Sequence, residues 1–191
     1  MVFCFCYLDK SLIFEDKFIV MGYYNQHEDS KDYSEVNESV KEYARNINKK
    51  SNLHINPKNI NFSNFFENKM LVIKAIRLGI PQEVFEKIQQ ITPFSENDWA
   101  EYLDVSKKTL QRHRNDKNYA YKSIHTEKIL ELAEVTLFGK TVFDDTHQFY
   151  RWLNTPSYAL GHLKPAELLK DSYGKELVMR ELNNIEYGVF A

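Results

Sequence analysis

The sequence predicts an all-α fold, and three observations support that prediction. Apolar residues recur every three or four positions in most segments after residue 34, which is the spacing of one helix face. Serine, aspartate or proline precedes several of these segments and glycine follows some of them, as at helix starts and ends. The dense apolar run at residues 70–80 lacks the alternation of a half-buried strand. We therefore expect helices to form the body of the protein, after a partly disordered N-terminal extension.

The first twenty residues are apolar but do not have the pattern of a signal peptide. They lack a basic start, and charged residues interrupt the apolar run: Asp9, Lys10, Glu15, Asp16 and Lys17. The uninterrupted apolar pieces are too short to span a membrane. We therefore expect no export, no membrane partner and a cytoplasmic protein, and Met21 is an alternative natural start.

Metal, cofactor and catalytic motifs are missing from the sequence. Cys4 and Cys6 lie too close together to staple a fold, and a lone Cys-x-Cys pair is a weak metal signal. The six histidines have no zinc-binding spacing, and there is no phosphate-binding loop, dinucleotide fingerprint or nucleophile elbow. The sequence therefore predicts no metal, no cofactor and no enzymatic activity. The absence of a disulfide framework agrees with a reducing cytoplasm.

One helix is predicted within the polar, asparagine-rich stretch at residues 21–68. Between Ser34 and Asn48, four apolar residues share one helix face: Val36, Val40, Tyr43 and Ile47. Such a helix is marginal alone, so we expect it to pack against the main domain or a second copy of the chain. Residues 51–68 are predicted to be a linker, because Asn-Pro is a turn signal and there is little apolar periodicity until Phe62, Phe65 and Phe66.

Two further helices are predicted between residues 70 and 91. The first begins at Met70 and is closed by Gly79. The second begins at Pro81, since proline is tolerated in the first turn of a helix. One face of this second helix is apolar and is formed by Val84, Phe85, Ile88 and Ile91.

Residues 95–117 combine two predicted helix caps with a short turn. Ser95 and Asp98 have the pattern of a capping box, and Ser106 is a second N-cap. The apolar positions suit a helix-turn-helix, which needs a small residue at the helix crossing and branched residues beneath the second helix. These positions are Trp99, Ala100, Leu103, Val105 and Leu110. Asp104 stands where glycine is most usual, so we expect a turn wider than the common form.

The second helix of this pair is predicted to contact DNA. Residues 106–117 contain five basic side chains and one acidic side chain, and this local excess favours a polyanion. Glutamine and arginine can read the edges of adenine and guanine. The candidate DNA-binding residues are Ser106, Lys107, Lys108, Thr109, Gln111, Arg112 and Arg114. The alternative is a solvated, charged helix face.

A central helix is predicted at residues 126–138. Its apolar residues lie on more than one side, with Ile129, Leu132, Ala133 and Thr136 on one stripe and Leu130, Val135 and Leu137 on others. A helix that is apolar all round is buried, so we expect it to be the spine between two domains. Gly139 is predicted to end it, and Asp144 or Asp145 is predicted to cap the next helix.

The last forty or so residues predict a small helical module. Phe149, Trp152 and Leu153 lie at helical spacing, and this helix ends at residues 154–156. Two short helices follow, separated by Gly161 and begun by Pro156 and Pro165. From Ser172 onward, one stripe carries Leu177, Val178, Leu182 and Ile185, and Gly188 stands at the usual position after a helix end. Periodicity alone favours a helical hairpin that caps a core. The apolar closing residues 188–191 argue against it, because frayed ends are normally polar.

This module resembles the toxin-binding domain of the Xre/MbcA/ParS antitoxins. The motifs F-x-x-W-L-x-x-P-x-x-A-L-G-x-x-K-P-x-E-L-L and G-x-x-x-V-x-x-x-L-x-x-I-E-Y-G-V-F-A cover residues 149–191. His162, Asn183 and Asn184 depart from the residue types common in that family. The segment I-R-L-G-I-P and the predicted helix-turn-helix resemble the DNA-binding part of the same family. The toxin-binding residues that the resemblance implies are Trp152, Asn154, Leu160, Gly161, Lys164, Arg180, Glu181, Asn184, Glu186, Tyr187, Gly188, Val189, Phe190 and Ala191.

The resemblance implies an antitoxin that also regulates its own operon. Its domains would be an extension and linker at residues 1–68, an Xre-like helix-turn-helix domain at 69–140 and a toxin-binding domain at 141–191. The implied partners are a RES-domain toxin that consumes NAD, operator DNA and a second copy of the chain. The last helix and tail would cover the active-site cleft of the toxin, with Tyr187, Val189 and Phe190 as anchors. The alternatives are a transcription regulator whose terminal module serves only dimerisation, and a chromosome-partition-associated role.

Overall fold

A computed structural model describes residues 31–51, 56, 59–143 and 145–189, with side chains from Tyr33 onward. It confirms the all-α prediction, since the described residues form ten α-helices, one 3₁₀ turn and no strand. The helices are α1 (Lys31–Ser51), α2 (Phe62–Glu67), α3 (Lys69–Leu78), α4 (Gln82–Ile91), α5 (Glu96–Tyr102), α6 (Lys107–Arg114), α7 (Ser123–Val142), α8 (Thr146–Leu153), α9 (Pro165–Leu168) and α10 (Ser172–Glu186), with the 3₁₀ turn at Tyr158–Leu160. Predictions on residues 1–30, which include Cys4, Cys6 and Met21, lie outside the described residues.

Helix α1 packs against α2, α3 and α4 and belongs to the main core. Its four predicted apolar residues are buried, and the single hydroxyl hydrogen of Tyr43 is shared between the carbonyl oxygens of Gly79 (2.8 Å) and Ala75 (3.1 Å). A long helix with a polar outer face is thus stabilised by tertiary packing rather than by its own propensity. The expectation that α1 packs against the main domain is confirmed.

The predicted linker at residues 51–68 is wrong for its last third, where α2 forms. Asn61 and Asn64 cap each other, each side chain accepting from the backbone N–H of the other residue (2.8 Å for both). Three phenylalanine rings of α2 are buried: Phe62, Phe65 and Phe66. The reciprocal cap and this aromatic burial stabilise a helix of six residues that has little signal of its own.

Gly79 ends α3 as predicted, and the reason lies in its neighbours. Its φ is +84°, and a Cβ at this position would lie 2.3 Å from the carbonyl oxygen of Tyr121. Residues 80–82 and 119–121 then pair in antiparallel fashion, with the N–H of Gln82 bonded to Tyr119 O (2.8 Å) and that of Tyr121 bonded to Ile80 O (2.8 Å). This pairing fixes the start of α4 against the segment that follows α6.

Helices α5 and α6 begin at the two predicted caps, Ser95 and Ser106. The expected wider turn between them is wrong. Asp104 adopts a left-handed conformation with φ of +50°, and the N–H of Val105 returns to the carbonyl of Ala100 at 3.0 Å. Aspartate is among the few non-glycine residues that enter this region readily, so the turn stays tight without glycine.

Helix α7 is the spine of the fold and packs against α3, α8 and α10. Its apolar residues between Thr126 and Gly139 are buried on more than one side, as predicted for residues 126–138, whereas Ile124 in its first turn is exposed. Gly139 does not end it, because the helix continues to Val142. A Cβ at Gly139 would lie 2.3 Å from ring carbons of Phe149, so glycine is present here to let α8 approach.

One hydrophobic cluster runs from Tyr33 in α1 to Leu182 in α10. The predicted domain boundaries at residues 68/69 and 140/141 both fall inside the span of this cluster, and they stay predictions. No helix in the described part of the chain is long and apolar enough to cross a membrane.

Candidate functional site

The C-terminal module is built on the contact between α7 and α8. Phe149 is fully buried over Gly139, and its ring stacks with those of Phe143 (centroids 5.8 Å apart) and Trp152 (6.1 Å). Asp145, one of the two predicted caps, begins α8: its side chain accepts a hydrogen bond from the N–H of His147 (3.0 Å). The other predicted cap, Asp144, lies outside the described residues. This stack positions the chain that follows α8.

A tight loop after α8 exposes two large side chains. Gly161 and His162 have consecutive positive φ values of +67° and +64°, and Ser157 N–H bonds to Leu163 O (3.1 Å) across the loop. The first of the two short helices predicted here is only a 3₁₀ turn at Tyr158–Leu160. Pro156 does not lie in its first turn, because Ser157 is the N-cap and Pro156 comes before it. Tyr158 is 78% exposed and Leu163 is 46% exposed. Exposed apolar side chains on a rigid loop are suited to contact another protein.

Helix α9 connects this loop to α10 and to α5. Pro165 occupies the first turn of α9, as predicted. The hydroxyl of Tyr102 in α5 donates to the carbonyl of Ala166 (3.1 Å), and Lys170 forms an ion pair with Glu101. A Cβ at Gly174 would lie 2.0 Å from the carbonyl oxygen of Leu168, so the first turn of α10 lies directly against α9. These contacts fix the angle at which α10 leaves the core.

Helix α10 is held along its inner face. Val178 and Leu182 are fully buried, and Glu134 of α7 accepts from both Lys175 and Lys69. Burial alone would raise the pKa of Glu134, but the hydrogen bonds and positive charges of the two lysines outweigh it, so that its pKa lies below the usual value of 4.5. The carboxylate is therefore charged at neutral pH and fastens α10 to the spine.

The end of α10 has a defined geometry. The N–H of Gly188 bonds to Ile185 O (3.1 Å), and the N–H of Val189 bonds to Asn184 O (2.8 Å), which is the Schellman pattern of helix ends. Gly188 stands at the predicted position with φ of +66°. Tyr187 and Val189 are 45% and 60% exposed. The chain thus turns sharply at Gly188 and holds two apolar side chains at the surface.

Glu186, in the last turn of α10, has a partly buried carboxyl group. Its Oε2 is buried and has no hydrogen-bond partner within the described part of the chain. Burial raises the pKa of this carboxyl above its usual value of 4.5. A carboxylate oxygen without a donor is costly to bury, so a donor from a binding partner beside Glu186 would gain a strong hydrogen bond.

The implied toxin-binding residues lie in two groups. Asn154, Gly161 and Lys164 surround the exposed loop, while Trp152 is half-buried against Phe149 and Leu160 is buried. The second group lies in the C-terminal half of α10 and just after its end: Arg180, Glu181, Asn184, Glu186, Tyr187, Gly188 and Val189. Phe190 and Ala191 lie outside the described residues. None of these assignments is tested by the fold, and they stay predictions.

Sequence reasoning missed two exposed residues on the same helix, Tyr173 and Leu177. Leu177 belongs to the predicted apolar stripe of α10, but its exposed fraction is 37%, whereas Val178 and Leu182 on the same stripe are fully buried. Tyr173 is 84% exposed. The signal that would have found them is their position on the helix. Leu177 follows Tyr173 by four residues, and Tyr187 follows Tyr173 by fourteen residues, so that the three side chains lie towards the same side of α10.

The predicted DNA-contacting residues form the outer face of α6. Ser106, Lys107, Lys108, Gln111 and Arg112 are exposed, and Thr109 is half-buried, with its hydroxyl 2.8 Å from that of Ser106. Arg114 differs, because its guanidinium forms an ion pair with Glu96 (3.4 Å) on the flank of α5. The face of α6 that is open to a polyanion therefore centres on Lys108.

The inner face of α6 is held by an aromatic group. His113 is buried and stacks on Tyr119 at 3.7 Å between ring centroids, while Tyr121 meets both His113 and His125 edge-on. Burial, and then the positive charge of Arg112, lowers the pKa of His113 below its usual value of 6.5. The imidazole is therefore neutral at neutral pH and packs as an aromatic ring.

Together these features define an all-helical protein with an exposed, partly apolar docking module at its C-terminal side. Residues 139–188 match the family model of the antitoxin Xre/MbcA/ParS C-terminal toxin-binding domain. The match begins within the last turn of α7 and ends at Gly188. The C-terminal module is thus of the toxin-binding type found in these antitoxins, which supports an antitoxin role in a toxin–antitoxin pair. No curated protein matches the chain.

Proposed function

We propose that this protein is the antitoxin of a RES-domain toxin that consumes NAD, and that it neutralises the toxin by covering its active site with the end of α10 and residues 188–191. The observation that carries the proposal is the exposed end of α10 within the matched toxin-binding domain. Tyr187 and Val189 are 45% and 60% exposed, on either side of the turn at Gly188. The apolar chain that follows α10 thus has a rigid base.

The chemistry of the toxin pocket supports this mechanism. A cleft that binds a nucleotide cofactor is concave and largely apolar, with a few polar groups that fix orientation. Tyrosine and other large side chains can fill such recesses and exclude the substrate from them. Because α10 is fastened to the spine by Lys175 and Glu134, little conformational entropy is lost when the toxin binds.

We propose further that the protein binds operator DNA as a dimer and regulates its own operon. The support is the exposed cationic face of α6, in a helix pair joined by the tight turn at Asp104, which suits a helix-turn-helix. Operator sites with two-fold symmetry are bound by two-fold proteins, so a dimer is expected. Lys107, Lys108 and Arg112 would contact phosphates and base edges.

Removal of residues 188–191 tests the mechanism in cells that carry the toxin gene. We expect the truncated protein to lose protection of growth while it still retards promoter DNA. The matched control is the double variant Lys107→Ala and Arg112→Ala, which should protect growth but no longer bind the promoter. Growth protection by the truncated protein would refute the covering of the active site. Protection by a protein that binds no toxin in vitro would favour a regulator whose module only dimerises.

A further inference from the structure

A row of five side chains runs along the outer face of α10. Its members are spaced like one helix face and are Tyr173, Leu177, Arg180, Asn184 and Tyr187. The opposite face is buried through Gly174, Val178 and Leu182. The last member follows the first by fourteen positions, which corresponds to about 21 Å of helix.

The row begins with one highly exposed side chain, Tyr173, followed by one partly exposed side chain, Leu177. Tyr173 is 84% exposed and Leu177 is 37% exposed, one turn apart on the same face. Because the other face of α10 is packed, its backbone loses little conformational entropy on binding. Tyrosine and leucine also have only two side-chain torsions each, so few rotamers are lost. The contact of Gly174 with the Leu168 carbonyl fixes this turn of α10 against α9, so the pair is presented rigidly.

We propose that Tyr173 and Leu177 form a second anchor for the toxin, about 15–21 Å along the helix before Tyr187, and that this anchor supplies affinity while the tail supplies inhibition. The inference rests on the proposed antitoxin function. The occupant is the toxin because the row continues without a break into Arg180, Asn184 and Tyr187. All five residues also lie within the matched toxin-binding domain.

The chemistry of the row describes the surface that it fits. Arg180 is the only charged member and lies midway, so the facing surface has an acidic group there, beside an apolar recess for Tyr173 and Leu177. Along the helix, this contact lies about 15–21 Å before Tyr187, whereas the proposed inhibitory tail begins at Gly188. Binding and inhibition are therefore separable by mutation, which a single plug at the tail would not allow.

The test uses the full-length protein and the purified toxin, with two readouts. One is the dissociation constant, and the other is residual NAD hydrolysis at saturating antitoxin. For Tyr173→Ala with Leu177→Ala we expect binding weakened by about tenfold or more, with complete inhibition once the toxin is saturated. For the protein that lacks residues 188–191 we expect binding retained within a fewfold range, with hydrolysis that persists at saturation.

Ile124→Ala is the matched control, because Ile124 is 70% exposed on α7 and lies outside the row. It should leave both readouts unchanged. Since the substituted side chains are exposed, α10 should keep its helicity in circular dichroism, and Tyr173→Lys provides a second variant with a helix-forming residue.

A dissociation constant unchanged in both row variants would overturn the second anchor. So would conversion of a dimer to a monomer with toxin affinity unchanged, because the row would then bind a second copy. Failure of the unmodified protein to bind the toxin would instead refute the proposed function.

Discussion

The ring of Phe149 occupies the space that a side chain at Gly139 would need, with ring carbons 2.3 Å from the position of a Cβ. This contact brings α8 against α7 and sets the position of the whole C-terminal module. It also explains why a glycine, the residue usual after a helix end, stands inside a helix that continues for three more residues.

Gly139→Ala should destabilise the protein by about 1–3 kcal/mol, because the added methyl group forces Phe149 or α8 to move. Urea unfolding followed by circular dichroism measures the loss. The matched control is Gly161→Ala, since no atom lies within 4 Å of a Cβ there and only its φ of +67° carries a penalty. The double variant Gly139→Ala with Phe149→Leu should recover part of the loss. An unfolding midpoint unchanged by Gly139→Ala alone would contradict the close approach.

Tyr43→Phe tests whether α1 is an integral part of the fold. The hydroxyl is buried and bonded to two carbonyl oxygens at the end of α3, so its removal should cost about 1–3 kcal/mol in the free energy of unfolding. Lys87→Ala, which breaks the exposed ion pair of α4 with Glu35 of α1, should change stability much less. Equal effects of the two variants in urea unfolding would mean that α1 is held by its surface contacts.

Stability should fall as the pH is lowered from 7 towards 5. Burial lowers the pKa values of His113 and His125 below 6.5, so the unfolded chain binds protons at a higher pH than the folded one. This stabilisation is complete above pH 6.5 and is lost as the pH falls towards the folded values. Arg112 and Lys122 strengthen the effect, whereas Asp116 and Asp104 oppose it.

Unfolding free energies measured between pH 8 and pH 5 test this dependence. The double variant His113→Asn with His125→Asn should be less stable at pH 8, where two packed rings are lost, and should show a flatter profile. A profile of the unmodified protein that is flat between pH 7 and pH 5 would contradict the burial of the two imidazoles.

Single substitutions on α6 should separate DNA-facing cations from structural ones. Arg112→Ala should weaken promoter binding and reduce the slope of log affinity against log salt by about 1, because one phosphate contact is lost. Arg114→Ala should change the slope less, since Glu96 already pairs with that guanidinium. Retardation assays at several salt concentrations measure both. A larger effect from Arg114 than from Arg112 would place the DNA on the other flank of α6.

Most helices and caps could be predicted from the sequence because their signals are local. The stripe of α1, the caps at Ser95 and Ser106 and the glycines at 79 and 188 each depend on neighbours within a few positions. Sequence reasoning failed where a distant contact decided the outcome. Helix α2 depends on the burial of its three phenylalanines in the core, and the path of α7 beyond Gly139 depends on a ring ten residues away.

The candidate site was predicted less completely for the same reason. The end of α10 and its exposed residues follow from a local C-terminal pattern. Which face of α10 is buried depends on how α10 meets α7 and α9. A wide apolar stripe includes residues on both sides of that boundary. Leu177, at the edge of the stripe, is therefore partly exposed, and the row that begins at Tyr173 does not stand out in the sequence.

The most direct test of the account is NAD hydrolysis by the purified toxin, titrated with the full-length protein and with Tyr187→Ala plus Val189→Asp. Both substituted side chains are at the surface, and α10 should keep its fold. We expect complete inhibition by the unmodified protein, and hydrolysis that continues at saturating concentrations of the double variant. Equal inhibition by the two proteins would contradict the claim that the end of α10 and the residues after it close the active site.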